Sequence, residues 1–129
     1  KLQKKLSASV KGIETHTGTL KDLIKEAGGE LKKEHCKGME GLVKEARKHA
    51  VEMDADGDIK DVAAIAQFQR MSHYGIAGFG TAAAFAEALG LDDAASKLNE
   101  ATSEIYSSDE YMTELAERSQ NLEAKDKGE

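Results

Sequence analysis

AQFQRMSHYGIAGFGTAAAFAEALGLDDAASKL, residues 66–98, closes one long helix at Gly90 and opens the next at Asp92. Glycine just past a periodic apolar segment is a helix stop, and paired aspartates favour a helix start through the macrodipole. The stretch is also short of acid. Between Asp61 and Glu87 there is no carboxylate, although 33% of the chain is charged. The periodicity in this region is helical. Ile65, Phe68, Ser72, Gly75, Phe79, Ala82, Ala86 and Leu89 alternate spacings of three and four, as one face of a helix from about Ile59 to Leu89 requires. The following helix carries the same rhythm in Ala94, Leu98, Ala101, Ile105, Ser108, Met112, Leu115, Ser119 and Leu122. After Leu122 the sequence EAKDKGE reads as a frayed tail.

Upstream, Leu6, Val10, Ile13, Thr17, Leu20, Ile24 and Ala27 form a heptad-type stripe on a helix from about Leu2 to Ala27. Gly28-Gly29 ends it. A shorter helix spans about Cys36 to Val51, with Met39, Leu42, Val43 and Ala46 on its apolar face. The connector Asp54-Ala-Asp-Gly-Asp58 resembles a calcium loop only superficially. An EF-hand starting at Asp54 needs glycine and glutamate where Ile59 and Ile65 stand, so the segment reads as an acidic turn with Asp58 as N-cap. Strand-like alternation is nowhere sustained, and proline is absent. The chain is therefore expected to be all-α: a single domain over residues 1–129, an antiparallel bundle of three long helices plus one short one.

The bulk properties narrow the function. A net charge of −6 argues against nucleic-acid binding. No apolar run approaches the roughly 18 residues that cross a bilayer, and no signal peptide is apparent. The single cysteine, Cys36, permits no internal disulfide; a reducing, cytoplasmic setting is the expectation. Next to His35 it is too little for a structural zinc site, and a buried inert thiol is the default. Tyr74 is expected to pack with its hydroxyl satisfied.

The chain resembles the YciE/YciF family of ferritin-like bacterial stress proteins. The family pattern A-Q-x-x-E-H-Y-E-I-A-x-Y-G-T stands here as Ala66-Gln67, then Ser72-His73-Tyr74-Gly75-Ile76-Ala77-Gly78-Phe79-Gly80-Thr81. Cys36-Lys-Gly-Met-Glu-Gly-Leu42, Leu89-Gly-Leu-Asp-Asp-Ala-Ala95, Thr113-Glu-Leu-Ala116, and His16 with Leu20, Leu23, Ile24 and Gly28 also look like the family. The resemblance implies a ferritin-like frame. It also implies glutamates where this chain has Ser72 and Gly75, a further acid near Gly12, and a second fourth-helix glutamate where Ile105 follows Glu104. The family's first long helix has no counterpart. The exposed face is then covered by an upstream segment or by another subunit, and a homodimer or other helical partner is expected.

A ferritin-like di-metal centre uses about four carboxylates and two histidines, with Glu-x-x-His pairs on two helices. No Glu-x-x-His stands on a long helix here, and no histidine follows His73. The remaining candidate ligands are Glu14, His16, His73, Glu100 and Glu104. Glu14 and His16 are two residues apart and so on different faces; Glu100 and Glu104 share a face beside the apolar stripe. The small residues in mid-stripe, Thr17, Ser72, Gly75 and Ser108, make the bundle centre tight or hollow. Gly75, Gly78 and Gly80 each cost a helix about 1 kcal/mol relative to alanine. Close approach of another helix is the favoured reason. A pocket lined by Phe68, Ser72, His73, Gly75 and Phe79 is the alternative. No nucleophile–base constellation is present, so there is no positive case for an enzyme. The leading expectation is a stress-associated bundle without an intact di-iron centre or cofactor, serving as an interaction or structural module. The alternatives are an iron- or manganese-dependent oxidase-like protein with a rearranged site, and a small-molecule carrier.

Overall fold

A computed structural model describes residues 1–127. Helix α1 spans Leu2–Glu26, α2 Lys37–Ala46, α3 Gly57–Ala88, α4 Asp92–Leu115 and α5 Asn121–Lys127. A π-helical turn, Arg47–Val51, extends α2, and a second, Ala116–Gln120, joins α4 to α5. No strand occurs among the described residues. The all-α expectation holds, with three long helices. Beyond Leu122 the helix α5 is described to Lys127, and the last two residues lie outside the described ones.

The helix ends follow local chemistry. Gly28 and Gly90 take positive φ of 78° and 69°, which glycine adopts without steric cost. Each closes a helix by returning bonds to its last turn. Gly29 N–H reaches Ile24 O at 2.8 Å, and Leu91 N–H reaches Ala86 O at 2.9 Å. The N-cap of α3 is Asp56 rather than Asp58, its carboxylate accepting from Asp58 N–H at 3.0 Å. Asp58 lies inside the first turn, where its charge suits the dipole.

Helices α3 and α4 form a close antiparallel hairpin, and α1 lies against α4 in the opposite direction. The pairing order shows this: Leu2 clusters with Met112, Lys5 Nζ reaches Ser108 Oγ at 3.3 Å, and His16 meets Glu104. Apolar burial concentrates at the two ends of the bundle. At one end Leu2, Ile65, Met112 and Leu115 are buried together, with Leu6 and Phe68 against them. At the other, Ala83, Ala86, Ala95 and Leu98 pack with Leu20, Leu23 and Phe79. The α4 stripe is inward as read from Ala94 to Leu115, while Leu122 is exposed. On α3 the stripe is inward apart from Leu89, joined by Gln67, Ile76 and Ala83.

On α1 only Leu6 and Leu20 of the stripe pack against the core. Val10 is 55%, Ile13 62% and Ile24 40% exposed, and Thr17 and Ala27 are exposed too. The inner line is Leu2, Ser9, Gly12, His16 and Leu23, roughly a quarter-turn away. The helix is rotated so that Leu2 fills the Met112 cluster and His16 reaches α4. Thr17 therefore does not belong to the middle layer.

Met112 is fully buried, so Met112→Ala is expected to cost about 3 kcal/mol of unfolding free energy. The shift of the urea midpoint reads it. Phe85→Ala, on a side chain 66% exposed, should change stability by under about 0.5 kcal/mol.

Candidate functional site

Polar groups concentrate between the two apolar ends, because α4 offers Glu104, Ser108, Asp109 and Thr113 to its neighbours. From α1, His16 Nε2 lies 2.7 Å from Glu104 Oε2, and its ring meets Phe79 edge-on, centroids 5.6 Å apart. From α3, His73 Nε2 lies 3.0 Å from Asp109 Oδ2 and edges onto Tyr106. Gln69 Nε2 donates to Thr113 Oγ1 at 2.8 Å. These contacts tether α1 and α3 to α4. Each histidine has one carboxylate partner, and it is a different one.

The five candidate ligands do not converge. His16 and Glu104 come together. His73 is committed to Asp109, which sequence reasoning did not name. Glu14 and Glu100 are exposed and bond to none of the others. Among the described residues, no group of three or more His, Cys, Asp or Glu side chains could hold a metal. A ferritin-type centre needs about six such donors around one point; with Ser72 and Gly75 offering no carboxylate, the donors present do not fit it.

The glycine run also divides. A Cβ at Gly75 would stand 3.7 Å from Ile105 Cδ1, ordinary contact across the α3–α4 interface. At Gly78 and Gly80 it would meet nothing within 4 Å, so close packing does not explain them. Elsewhere on the bundle, a groove of about 320 Å³ lies between Leu6 of α1, Val43, Ala46, Arg47, Ala50 and Val51 of α2 and its π-turn, and Ala64, Gln67, Phe68 and Met71 of α3. Of the five predicted lining residues, only Phe68 borders it. Its walls are apolar, yet Gln67, only 4% exposed, stands on it. Gln67 Oε1 is buried without a hydrogen-bond partner, an arrangement that costs about 1–3 kcal/mol. The position of Gln67 beside the α3 stripe gave no sign of this.

Cys36 departs from expectation as well. It is exposed, not buried, and it is the N-cap of α2, its sulfur accepting from Met39 N–H at 3.4 Å. Tyr74 Oη lies 3.0 Å from Cys36 Sγ. The two residues are 38 apart in sequence, so no local signal joins them. The approach depends on Gly38, where a Cβ would fall 2.7 Å from Tyr74 Oη. The Tyr74 hydroxyl, then the Met39 N–H, hold the thiol below its ordinary pKa, with Gly38 N–H adding to the effect against a small desolvation penalty. Reciprocally, the hydrogen bond and charge of Cys36 raise Tyr74. Tyr74→Phe removes the hydroxyl that favours the thiolate. Its pH–rate profile for iodoacetamide alkylation is expected to shift upward, slowing the reaction near neutrality; an unchanged profile would show that the bond does not tune the thiol.

Comparison with known proteins places this geometry in context. The family profile "Domain of unknown function (DUF892)" matches residues 1–125. Protein YciF of Escherichia coli (strain K12) is 37% identical over 102 residues, covering 79% of this chain. The chain spans 61% of the length of that relative. The crystal structure of the E. coli stress protein YciF superposes with a TM-score of 0.84 at 32% identity, over 90% of this chain and 73% of that one. YcfI, a proposed structural protein from Rhodopseudomonas palustris, gives a TM-score of 0.80 at 30% identity, over 87% and 71% of the two chains.

Proposed function

This chain belongs to the DUF892 family, and on that premise we propose that it is a stress-associated helical bundle protein acting as an interaction or structural module, on a ferritin-like frame without a working di-iron centre. The stress association rests on the designation of its E. coli relative. The module reading rests on one observation: the two histidines near the bundle centre are paired separately, His16 with Glu104 and His73 with Asp109, with no third donor at either. A metal-dependent oxidase would need a common point of convergence, so the geometry supports a frame in which the polar layer holds helices together. Protein purified without chelators is expected to carry well under one equivalent of iron or manganese per chain. Two equivalents with oxidase turnover would overturn the reading.

The Gln67 groove favours a second reading, a small-molecule carrier. An apolar trough with one unpaired buried amide suits an amphipathic ligand that brings a hydroxyl, amide or carboxyl group to Gln67. Native mass spectrometry is expected to show a co-purifying species that Gln67→Leu loses. The same variant, relieved of an unpaired polar group, should raise the unfolding free energy of the empty protein by about 1 kcal/mol. A ligand-free wild type would count against the carrier.

A further inference from the structure

The groove between α1, the α2 turn and α3 carries two polar side chains, and the chain pairs neither of them among the described residues. Gln67, almost fully buried, lines it with Oε1 lacking a hydrogen-bond partner. Arg47 lines it from the opposite element, exposed and without an ion pair among the described residues. Among the described residues, no carboxylate borders the groove, so Arg47 carries its only formal charge. The backbone brings Arg47 there through the π-helical turn Arg47–Val51, which Glu52 N–H closes on Arg47 O at 2.9 Å. Turns of this wider kind recur at functional sites, and here one sets Arg47, Ala50 and Val51 on the groove together. The remaining lining is apolar, with the exposed Val43 at the rim and the adaptable Met71 on α3.

Resting on the carrier reading of this groove, we propose that its ligand is an anionic amphiphile: a medium-length acyl chain, a terminal carboxylate, and a neutral hydrogen-bond donor between the two. N-acyl amino acids and 3-hydroxy acids share this chemistry. Each part answers one feature of the walls. The chain covers Val43, Val51, Phe68 and Met71 and removes their apolar surface from water. The neutral donor answers Gln67. Its Oε1 is an acceptor, and a plain fatty carboxylate brings it only further acceptors, whereas an amide N–H or a hydroxyl completes the missing bond. The carboxylate answers Arg47, whose fork of donors suits it in two-point contact and meets no competing acid in the groove. A cationic amphiphile would instead set like charge against Arg47. The volume, about 320 Å³, lies near the lower end of ligand clefts, which run from about 300 to 1,000 Å³. A medium chain suits that space better than a long one.

Isothermal titration calorimetry on the delipidated 129-residue chain tests it with N-decanoylglycine and 3-hydroxydecanoate. N-decanoylsarcosine, in which a methyl replaces the N–H, is expected to bind roughly tenfold more weakly than N-decanoylglycine, and decanoate roughly tenfold more weakly than 3-hydroxydecanoate. The methyl ester of N-decanoylglycine, stripped of its charge, should also lose roughly tenfold. In Gln67→Leu the donor preference should vanish and the charge preference remain. In Arg47→Gln the reverse is expected, with circular dichroism showing both variants folded. The tighter of the two parent probes identifies which source of the shared chemistry the groove takes. Equal affinities within each pair on wild type would overturn the ligand class and leave an unselective carrier. No uptake of any probe would overturn the carrier reading with it. Uptake that weakens as protein concentration rises would place a second copy in the groove and likewise overturn the ligand class.

Discussion

The arrangement depends on Met112. Its side chain is closed from solvent among Leu2 of α1, Ile65 of α3 and Leu115 of its own helix, so three helices meet on one residue. Burial of a side chain of this size contributes about 1.5–3 kcal/mol. The geometric consequence matters more than the energy. With Leu2 drawn into that cluster, the rotation of α1 is set, and Ser9, Gly12 and His16 turn toward α4. The stripe of Val10, Ile13 and Ile24 turns away. The far end agrees with this rotation, because Leu20 and Leu23 pack on the alanine-rich cluster formed by Ala83, Ala86, Ala95 and Leu98.

Between the two apolar ends α1 and α3 are held to α4 by side-chain hydrogen bonds. A hydrogen bond of this kind contributes about 0.5–1.5 kcal/mol net, so the layer stabilises modestly but fixes alignment along the helices. The proposed functional reading rests on it. A histidine that tethers one helix to a single carboxylate differs from a histidine that joins a shared ligand sphere, even where the residue types are those of a metal protein. Two buried oxygens of this layer, Gln67 Oε1 and Asp109 Oδ1, have no hydrogen-bond partner. Gln67 lies where α1, the α2 turn and α3 leave a trough, whose lining also includes Arg47.

Much was legible in the sequence for a physical reason. Helix periodicity, glycine C-caps and acidic N-termini are local, and they placed the three long helices within a few residues. The inward faces of α3 and α4 were also readable, because each packs closely on the other and a single stripe dominates. Of Phe68, Ser72, His73, Gly75 and Phe79, Phe68 borders the groove beside Gln67. Ile105 reaches the space beside Gly75, and His73 turns to Asp109. The Cys36–Tyr74 contact and the buried amide of Gln67 join or isolate residues across separate helices, where local pattern carries no information.

The sequence by itself determined the fold class, the helix boundaries and the family frame, because these follow from backbone chemistry and from repeating apolar spacing. It also shows that no carboxylate stands between Asp61 and Glu87. Only the tertiary structure decided which face of α1 is buried. That helix carries two candidate lines, one mostly aliphatic and one of Leu2, Ser9, Gly12, His16 and Leu23. Hydrophobicity alone favours the first. The second is chosen because it fits the surface that α3 and α4 present, where Met112 takes an aliphatic end and Glu104 takes a histidine. A helix's periodicity states that a face exists, but the neighbour's shape and hydrogen bonds select which one is used.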